Sequence, residues 1–140
     1  IVTPTIHARV LREIILPTVQ GMAADGIAYT GFLYAGLMID AQGTPRTLEF
    51  NCRLGDPETQ PIMARLKTDF TLLLEAAIDG RLGAVEAEWD RRTALGVVVA
   101  AAGYPDAPRK GDAITQLPAD SDDCVTFHAG TALAGQGGRS

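Results

Sequence analysis

Three polar side chains recur at alternate positions of a predicted strand, and their chemical types suit a charged ligand. Residues 46–53 (RTLEFNCR) alternate between polar and apolar, which places every second side chain on the same face of a strand. Glu49, Asn51 and Arg53 therefore share one face. Carboxylate and amide oxygens are ligands for Mg²⁺, which otherwise keeps water and phosphate oxygens, and the guanidinium fork suits a phosphate. This face could hold a complex of a metal ion with nucleotide phosphates.

The same pattern has a second interpretation, in which an outer strand face carries polar residues and binds nothing. Leu48, Phe50 and Cys52 occupy the opposite face, and their apolar character predicts a core face under either interpretation. A charged group buried in a sheet needs a partner, whereas the same group on a half-exposed strand needs none. Spacing alone does not decide between a binding site and a solvated face.

The strand is expected to form one half of a hairpin. Residues 31–39 (GFLYAGLMI) are apolar on both faces, which is typical of a strand that is covered on both sides. The segment 40–45 (DAQGTP) is polar and contains a glycine, and Asp40 is expected to cap the turn that it forms. Two strand-like segments joined by so short a connection predict an antiparallel pair.

A helix is predicted before the hairpin. Apolar residues with a period near 3.6 form one broad face over residues 5–24. Thr3 or Thr5 can cap the start, and Gly26 is a plausible stop. Pro17 is expected to kink this helix or to divide it in two.

A second helix is predicted directly after the hairpin. Asp56, Pro57 and Glu58 have the residue types of an N-cap, a first-turn proline and a first-turn acid. We therefore expect a helix over residues 57–66. In this interpretation both acids have a structural reason to be present.

The remainder of the chain predicts one more helix and several strands. The helix is expected over residues 69–79, with Gly80 as its stop. A polar stretch at residues 86–92 indicates a domain boundary, and the apolar run 94–102 predicts a buried strand. Shorter strands are expected at residues 113–117 and 125–129, and a terminal loop at residues 135–140.

Composition narrows the class of protein. The 140 residues are 46% hydrophobic and 21% charged, as in a globular chain that forms one ordinary domain or a piece of a larger one. A formal net charge of −5 makes nucleic acid a poor partner, and no run of 18 apolar residues is present to span a membrane. Two separated cysteines offer neither a disulfide framework nor zinc spacing, so a cytoplasmic location is expected. Because the chain begins with Ile1 and not with Met, we expect it to start within a longer sequence.

The stretch from Glu49 to Gln60 (EFNCRLGDPETQ) closely resembles the signature of the phosphoribosylamine–glycine ligases, which are ATP-grasp enzymes of purine biosynthesis. The segments YTGFLYAGLMID, QPIMARLKTD, ALGVVVAAAGYP and FHAGT resemble the same family in the same order. The resemblance covers essentially the whole chain but only the later part of such an enzyme. It implies an α/β (α+β) architecture, with the second half of an ATP-grasp domain over residues 1–90 and the start of a small mixed C-terminal domain over residues 91–140. The family's nucleotide-binding lysine and glycine-rich lid have no counterpart here, so the chain by itself is expected to be inactive.

The resemblance also implies roles for individual residues. Glu49 and Asn51 match the two family residues that hold Mg²⁺ or Mn²⁺ against the phosphates of ATP. Arg53 matches a catalytic arginine that meets phosphate or an acyl-phosphate intermediate. Asp56 and Glu58 either contact substrate phosphate or only cap the helix that follows.

One position departs from the wider superfamily. Many ATP-grasp enzymes carry a further acid on the preceding strand, where this chain has Gly36. We therefore expect fewer protein ligands on the metal and more water.

The activity implied by the resemblance joins glycine to 5-phosphoribosylamine at the expense of ATP. Glycyl phosphate and ADP form first, and the amine then displaces phosphate to give glycinamide ribonucleotide. A monomer in the cytoplasm, with neither nucleic acid nor membrane as a partner, is expected. Two alternatives are another ATP-grasp ligase or carboxylase, which the RLGDPETQ segment fits poorly, and a non-catalytic ATP-grasp domain kept for assembly.

Overall fold

The computed structural model describes residues 2–133, so the predicted loop at residues 135–140 lies outside the described residues. The chain divides into two compact units, of which the first ends at Val98 and the second begins at Val99. The first unit is a mixed α/β arrangement of helices and one two-stranded sheet. Within residues 2–133, no helix is both long enough and apolar enough to cross a membrane.

The predicted first helix is present, but its irregular turn precedes the proline. Helix α1 (Pro4–Val10) is followed by a π-helical turn (Leu11–Ile15) and by helix α2 (Leu16–Ala24). The N–H of Leu16 donates to the carbonyl of Leu11, five residues earlier. Pro17 has no N–H to continue the regular ladder, and a wider turn is one way in which a helix adapts. The irregularity therefore lies in the turn before Pro17.

Both ends of this helical segment have the predicted caps. The side chain of Thr3 accepts a hydrogen bond from the N–H of Ile6 over 3.3 Å. At the other end Gly26 adopts a φ of 81°, and the N–H of Ile27 donates to the carbonyl of Met22 over 2.9 Å. This is the Schellman arrangement, which requires a left-handed residue at its centre. The predictions of a threonine cap and a glycine stop are confirmed.

The predicted antiparallel hairpin is also confirmed. Strand β1 (Tyr34–Ile39) pairs with strand β2 (Pro45–Asn51). Asp40 caps the connection as expected, because its Oδ1 accepts hydrogen bonds from the N–H groups of Gln42 and Thr44, over 3.0 and 2.8 Å. The first strand begins at Tyr34 and not at Gly31, and it is half-buried rather than covered on both sides.

A β-bulge interrupts the alternation that the sequence predicts for the second strand. Gly36 pairs with Glu49, but the next residue, Leu37, pairs with Thr47, so Leu48 has no opposite residue. A bulge of this kind changes which face the flanking side chains occupy. Leu48 and Phe50 are 65% and 42% exposed. Cys52 is also exposed.

The predicted core face of Leu48, Phe50 and Cys52 is therefore wrong. The only sheet in residues 2–133 has two strands, and a two-stranded ribbon has too little surface to enclose a core. Among residues 2–133 the buried apolar side chains are instead Ala76, which is 3% exposed, and Pro45 at the start of β2.

The helix after the hairpin begins later than predicted. Helix α3 (Thr59–Arg65) has Glu58 at its N-cap position, without a side-chain cap. The N–H of Thr59 donates to the carbonyl of Gly55 over 3.0 Å, and the Thr59 hydroxyl donates to the same carbonyl. Because the helix starts at Thr59, Asp56 lies too far upstream to cap it. The prediction of Asp56 as N-cap and of Pro57 as a first-turn residue is wrong.

The last predicted helix is confirmed. Helix α4 (Phe70–Ile78) is capped by Asp69, whose Oδ1 accepts from the N–H of Thr71 over 2.8 Å. It ends before Gly80, which has a φ of 68°. A short 3₁₀ turn (Leu82–Ala84) follows.

The polar stretch at residues 86–92 is tied to the end of α3. The N–H of Lys67 donates to the carbonyl of Glu88 over 2.9 Å, and the N–H of Asp90 donates to the carbonyl of Arg65 over 2.7 Å. Arg92 bonds the Asp90 carboxylate and lowers the pKa of Asp90 to about 2. The domain boundary after residue 90 stays a prediction.

The strands predicted beyond residue 93 are absent from the described part of the chain. Residues 94–102, 113–117 and 125–129 contain no strand, and Ser121 and Cys124 form only an isolated bridge. Val97 and Val99 are 76% and 93% exposed. The prediction of a buried strand at residues 94–102 is wrong for this structure, because within residues 2–133 the apolar run finds no segment with which to pair.

Candidate functional site

Glu49 and Asn51 lie side by side on one face of β2. The Asn51 Nδ2 donates a hydrogen bond to Glu49 Oε1 over 3.1 Å. Both residues follow the bulge, so the alternation between them is undisturbed. The face therefore presents the Glu49 carboxylate with the Asn51 amide group beside it.

The residues directly opposite on β1 are Tyr34 and Gly36. Tyr34 pairs with Asn51, and Gly36 pairs with Glu49. A Cβ at Gly36 would lie 3.0 Å from Glu49 Cγ, which is tighter than an ordinary contact. The glycine thus leaves the space that the Glu49 side chain occupies, at the position where the wider superfamily was expected to carry an acid.

Glu58 joins this face through Tyr34. The Tyr34 hydroxyl donates to Glu58 Oε1 over 3.4 Å, and both residues are half-buried. The negative charge of Glu58 raises the pKa of Tyr34, as do burial and the hydrogen bond itself. The charge of Glu49 acts in the same direction, whereas that of Arg53 lowers this pKa. Glu49, Arg53 and Glu58 therefore all lie within electrostatic reach of one hydroxyl.

The loop between β2 and α3 holds the Glu58 carboxylate close to the backbone of Gly55. Gly55 is buried, and a Cβ at this position would lie 2.9 Å from Glu58 Cδ and nearer still to one carboxylate oxygen. A larger residue would displace that carboxylate.

Two of the predicted site residues, Arg53 and Asp56, form no hydrogen bond with Glu49, Asn51 or Glu58 among residues 2–133. Arg53 lies beyond the end of β2, and its exposed guanidinium donates to the carbonyl of Leu54 over 3.3 Å. Asp56 is exposed and forms no hydrogen bond or ion pair within residues 2–133. The structure therefore associates Glu58 with the pair Glu49–Asn51, but not Asp56.

The donor set fits a hard cation that keeps much of its hydration. No group of three or more His, Cys, Asp or Glu side chains that could hold a metal occurs between residues 2 and 133. Glu49 offers carboxylate oxygens, and the Asn51 amide beside it carries an oxygen as well as the Nδ2 that donates to Glu49. Mg²⁺ is commonly bound through one or two protein oxygens together with water and phosphate.

Two matches to one protein family together cover most of the chain. Residues 1–59 match the family described as phosphoribosylglycinamide synthetase, ATP-grasp (A) domain, and residues 94–140 match its C domain. The first match includes the pair Glu49–Asn51 and the loop up to Thr59. The chain belongs to the phosphoribosylglycinamide synthetase family.

Relatives of this family support the assignment along almost the whole chain. A phosphoribosylamine–glycine ligase of Ralstonia nicotianae is 73% identical over 133 residues, which is 95% of this chain. Ligases of the same name from Xanthomonas campestris and Neisseria meningitidis serogroup A are 60% and 58% identical over 98% of the chain. In each case the chain spans 32% of the relative's length.

Tyr34 and Gly55 are the residues of this site that sequence reasoning missed. Tyr34 belongs to an apolar strand, and Gly55 to a loop whose acids accounted for the whole segment. The available signal was the alternation of side chains along a strand. It places Tyr34 and Gly36 on one face of β1, just as it places Glu49 and Asn51 on one face of β2. This alternation alone does not reveal which residues of β1 lie opposite Glu49 and Asn51 in β2.

Proposed function

We propose that this chain is part of a phosphoribosylamine–glycine ligase that converts ATP, glycine and 5-phosphoribosylamine into glycinamide ribonucleotide, ADP and phosphate. In this proposal, residues 1–90 complete an ATP-grasp domain and residues 91–140 begin a small mixed C-terminal domain. The protein works as a monomer in the cytoplasm. The observation that carries the proposal is the pairing of Glu49 with Asn51 on one face, in a chain of this family.

Glu49 and Asn51 hold Mg²⁺ or Mn²⁺ in this proposal, through a carboxylate and an amide oxygen. When bound, the ion neutralises charge on the phosphoryl group that moves from ATP to the glycine carboxylate. Arg53 is exposed just beyond the end of the same strand, so its guanidinium is available to a phosphate or an acyl phosphate. Asp56 and Glu58, on the following loop, are assigned to substrate contacts.

The reaction has two group transfers. The glycine carboxylate attacks the terminal phosphorus of ATP, and the bond from that phosphorus to the bridging oxygen breaks, leaving ADP. The amine nitrogen of 5-phosphoribosylamine then attacks the acyl carbon of glycyl phosphate, loses a proton and expels inorganic phosphate. The protein contributes chiefly by holding the reacting groups in position.

Glu49→Gln tests this proposal in the full-length protein that contains this sequence. The change keeps the size of the side chain and removes its charge, so we expect kcat to fall by about 10²–10³-fold, as for the loss of one preorganised electrostatic contact. Asn51→Ala acts on the same ion, so the double variant should lose less than the two single losses combined. The measurement is kcat as a function of Mg²⁺ concentration.

Leu48→Val is the matched control on the same strand. Leu48 is 65% exposed and sits unpaired in the bulge, so the substitution should leave kcat and its dependence on Mg²⁺ near the wild-type values. A Glu49→Gln variant with wild-type kcat and metal dependence would show that Glu49 is only a polar residue on an open strand face.

A further inference from the structure

Tyr34 connects two parts of the candidate site that are distant in sequence. Its Cα lies opposite that of Asn51 in the hairpin, and its hydroxyl reaches Glu58, 24 residues further along the chain. A phenol is rigid beyond its first two torsions, so it sets the distance between the strand face and the loop. Tyr34 is thus placed to hold a loop carboxylate against the strand.

A second feature, the close approach of Gly55, constrains the same carboxylate. Gly55 leaves room for Glu58, and the carbonyl of Gly55 accepts hydrogen bonds from both the N–H and the hydroxyl of Thr59. The loop is therefore closed on itself with the Glu58 carboxylate packed over its glycine. Tyr34 and Gly55 are far apart in sequence, yet both constrain one side chain.

The charge of Glu58 limits what it can meet. A carboxylate repels phosphate oxygens, and Arg53 is the nearby side chain that suits a phosphate. Glu49 and Asn51, which lie side by side, are already assigned to the metal ion in the proposed function. The cation left among the substrates of the proposed reaction is the ammonium group of the amino acid, which is protonated at neutral pH.

We propose that Tyr34 is a positioning residue, whose hydroxyl holds the Glu58 carboxylate beside the Glu49–Asn51 face, where that carboxylate binds the ammonium group of the amino-acid substrate. This inference rests on the proposed function and adds to it a contact for glycine. It assigns Tyr34 no contact with the reacting atoms.

Removing the hydroxyl tests the inference in the full-length protein. For Tyr34→Phe we expect the KM for glycine to rise about tenfold, since a hydrogen bond to a charged group is worth about one tenfold step or somewhat more. The KM for ATP and the kcat should stay near the wild-type values. Glu58→Gln should raise the KM for glycine by about 10–100-fold. Adding Tyr34→Phe to Glu58→Gln should bring no further loss, because the hydroxyl acts through that carboxylate.

A binding measurement gives a readout besides activity. Glycine is titrated calorimetrically into protein that is saturated with Mg²⁺ and a non-hydrolysable ATP analogue. The wild type should bind glycine more tightly than Tyr34→Phe and Glu58→Gln do. Gly55→Ala displaces the carboxylate by a different route and should weaken glycine binding while Tyr34 is intact. Gly83→Ala is its control, because a Cβ there meets nothing within 4 Å.

Tyr29→Phe is the matched control for the loss of a phenol hydroxyl. The Tyr29 hydroxyl donates to the carbonyl of Phe32 and not to Glu58, so its removal should leave the KM for glycine unchanged. A Tyr34→Phe variant with wild-type glycine affinity in an active enzyme would overturn this inference and leave the proposed function standing. Equal increases of the KM for glycine and for ATP would overturn it too, since they indicate a general structural role. A wild-type protein that forms no glycinamide ribonucleotide would instead overturn the proposed function.

Discussion

The hairpin and the segment at residues 93–133 carry similar sequence signals but differ in structure. In the hairpin, β1 and β2 are separated by a five-residue connection, and Asp40 ties that connection together with two hydrogen bonds. In the other segment, the apolar run at residues 94–102 is as strand-like as β1, yet Val99 is 93% exposed. The two segments differ in how many residues along the chain separate them from a strand with which they can pair. A strand with a neighbour a few residues away pairs, because closing a short loop costs little entropy.

The ends of helices α1, α2 and α4 follow the same principle. Their start and stop signals act within one turn, as Thr3 does on Ile6 and as Asp69 does on Thr71. Such contacts need no distant segment. Local chemistry therefore sets these helix ends, and the corresponding predictions can be tested one residue at a time.

The largest effect expected from a single local signal is at the end of α2. Gly26 has a φ of 81°, so Gly26→Ala should lower the free energy of unfolding by about 1–2 kcal/mol, the cost of a left-handed conformation for a residue with a Cβ. Gly21→Ala, five residues earlier on the same helix, should instead raise it by about 0.5–1 kcal/mol, because Gly21 is within the helix and a Cβ there meets nothing within 4 Å. Urea unfolding of both variants checks the two signs. Equal signs would contradict a local origin for the stop.

A smaller effect is expected at the hairpin turn, and it depends on pH. The hydrogen bond from the backbone N–H of Thr44 contributes most to holding the pKa of Asp40 below its ordinary value, and the hydrogen bond from the N–H of Gln42 lowers it further. A carboxyl group with a lowered pKa in the folded state stabilises the fold above its unfolded pKa, which is about 3.9. That contribution is lost as the pH falls through the lower, folded value.

Asp40→Asn removes the titration and keeps an oxygen acceptor. The variant should therefore show a smaller loss of stability between pH 6 and pH 3 than the wild type, as measured by urea midpoints at several pH values. Asp25→Asn, whose carboxylate makes no hydrogen bond within residues 2–133, is the control. Parallel pH curves for the wild type and Asp40→Asn would show that the turn does not depend on this carboxylate.

The candidate site was predictable in part, and the register shows where prediction stopped. Alternation alone placed Glu49 and Asn51 on one face, because both residues follow the bulge. Counting residue pairs back from the turn would place Gly36 opposite Leu48 and Tyr34 opposite Phe50. The bulge at Leu48 shifts this register by one, so that Gly36 and Tyr34 oppose Glu49 and Asn51 instead. No residue type in β2 indicates that a bulge will form at Leu48.

The loop after β2 was misjudged for a related reason. Asp56, Pro57 and Glu58 have the residue types of a helix start, and only the resemblance offered substrate contact as the alternative role of the two acids. The helix begins at Thr59, and the Glu58 carboxylate accepts a hydrogen bond from the hydroxyl of Tyr34 in β1. A tertiary contact between residues 24 positions apart overrides a local preference here, and such contacts are what a pattern within one segment cannot reveal.

The smallest expected effect is at Val99, and it is the sharpest test of the difference between the two regions. The side chain is 93% exposed, so Val99→Asp should change the free energy of unfolding of the full-length protein by no more than about 0.5 kcal/mol, as for ordinary surface substitutions. Ala76→Asp is the contrasting variant, because Ala76 is 3% exposed and a buried unpaired charge is strongly unfavourable. A loss of several kcal/mol at Val99 would show that the apolar run at residues 94–102 does find a partner in the longer protein. In that case the sequence pattern would be right about the strand, and the partner would have to come from segments other than residues 2–133.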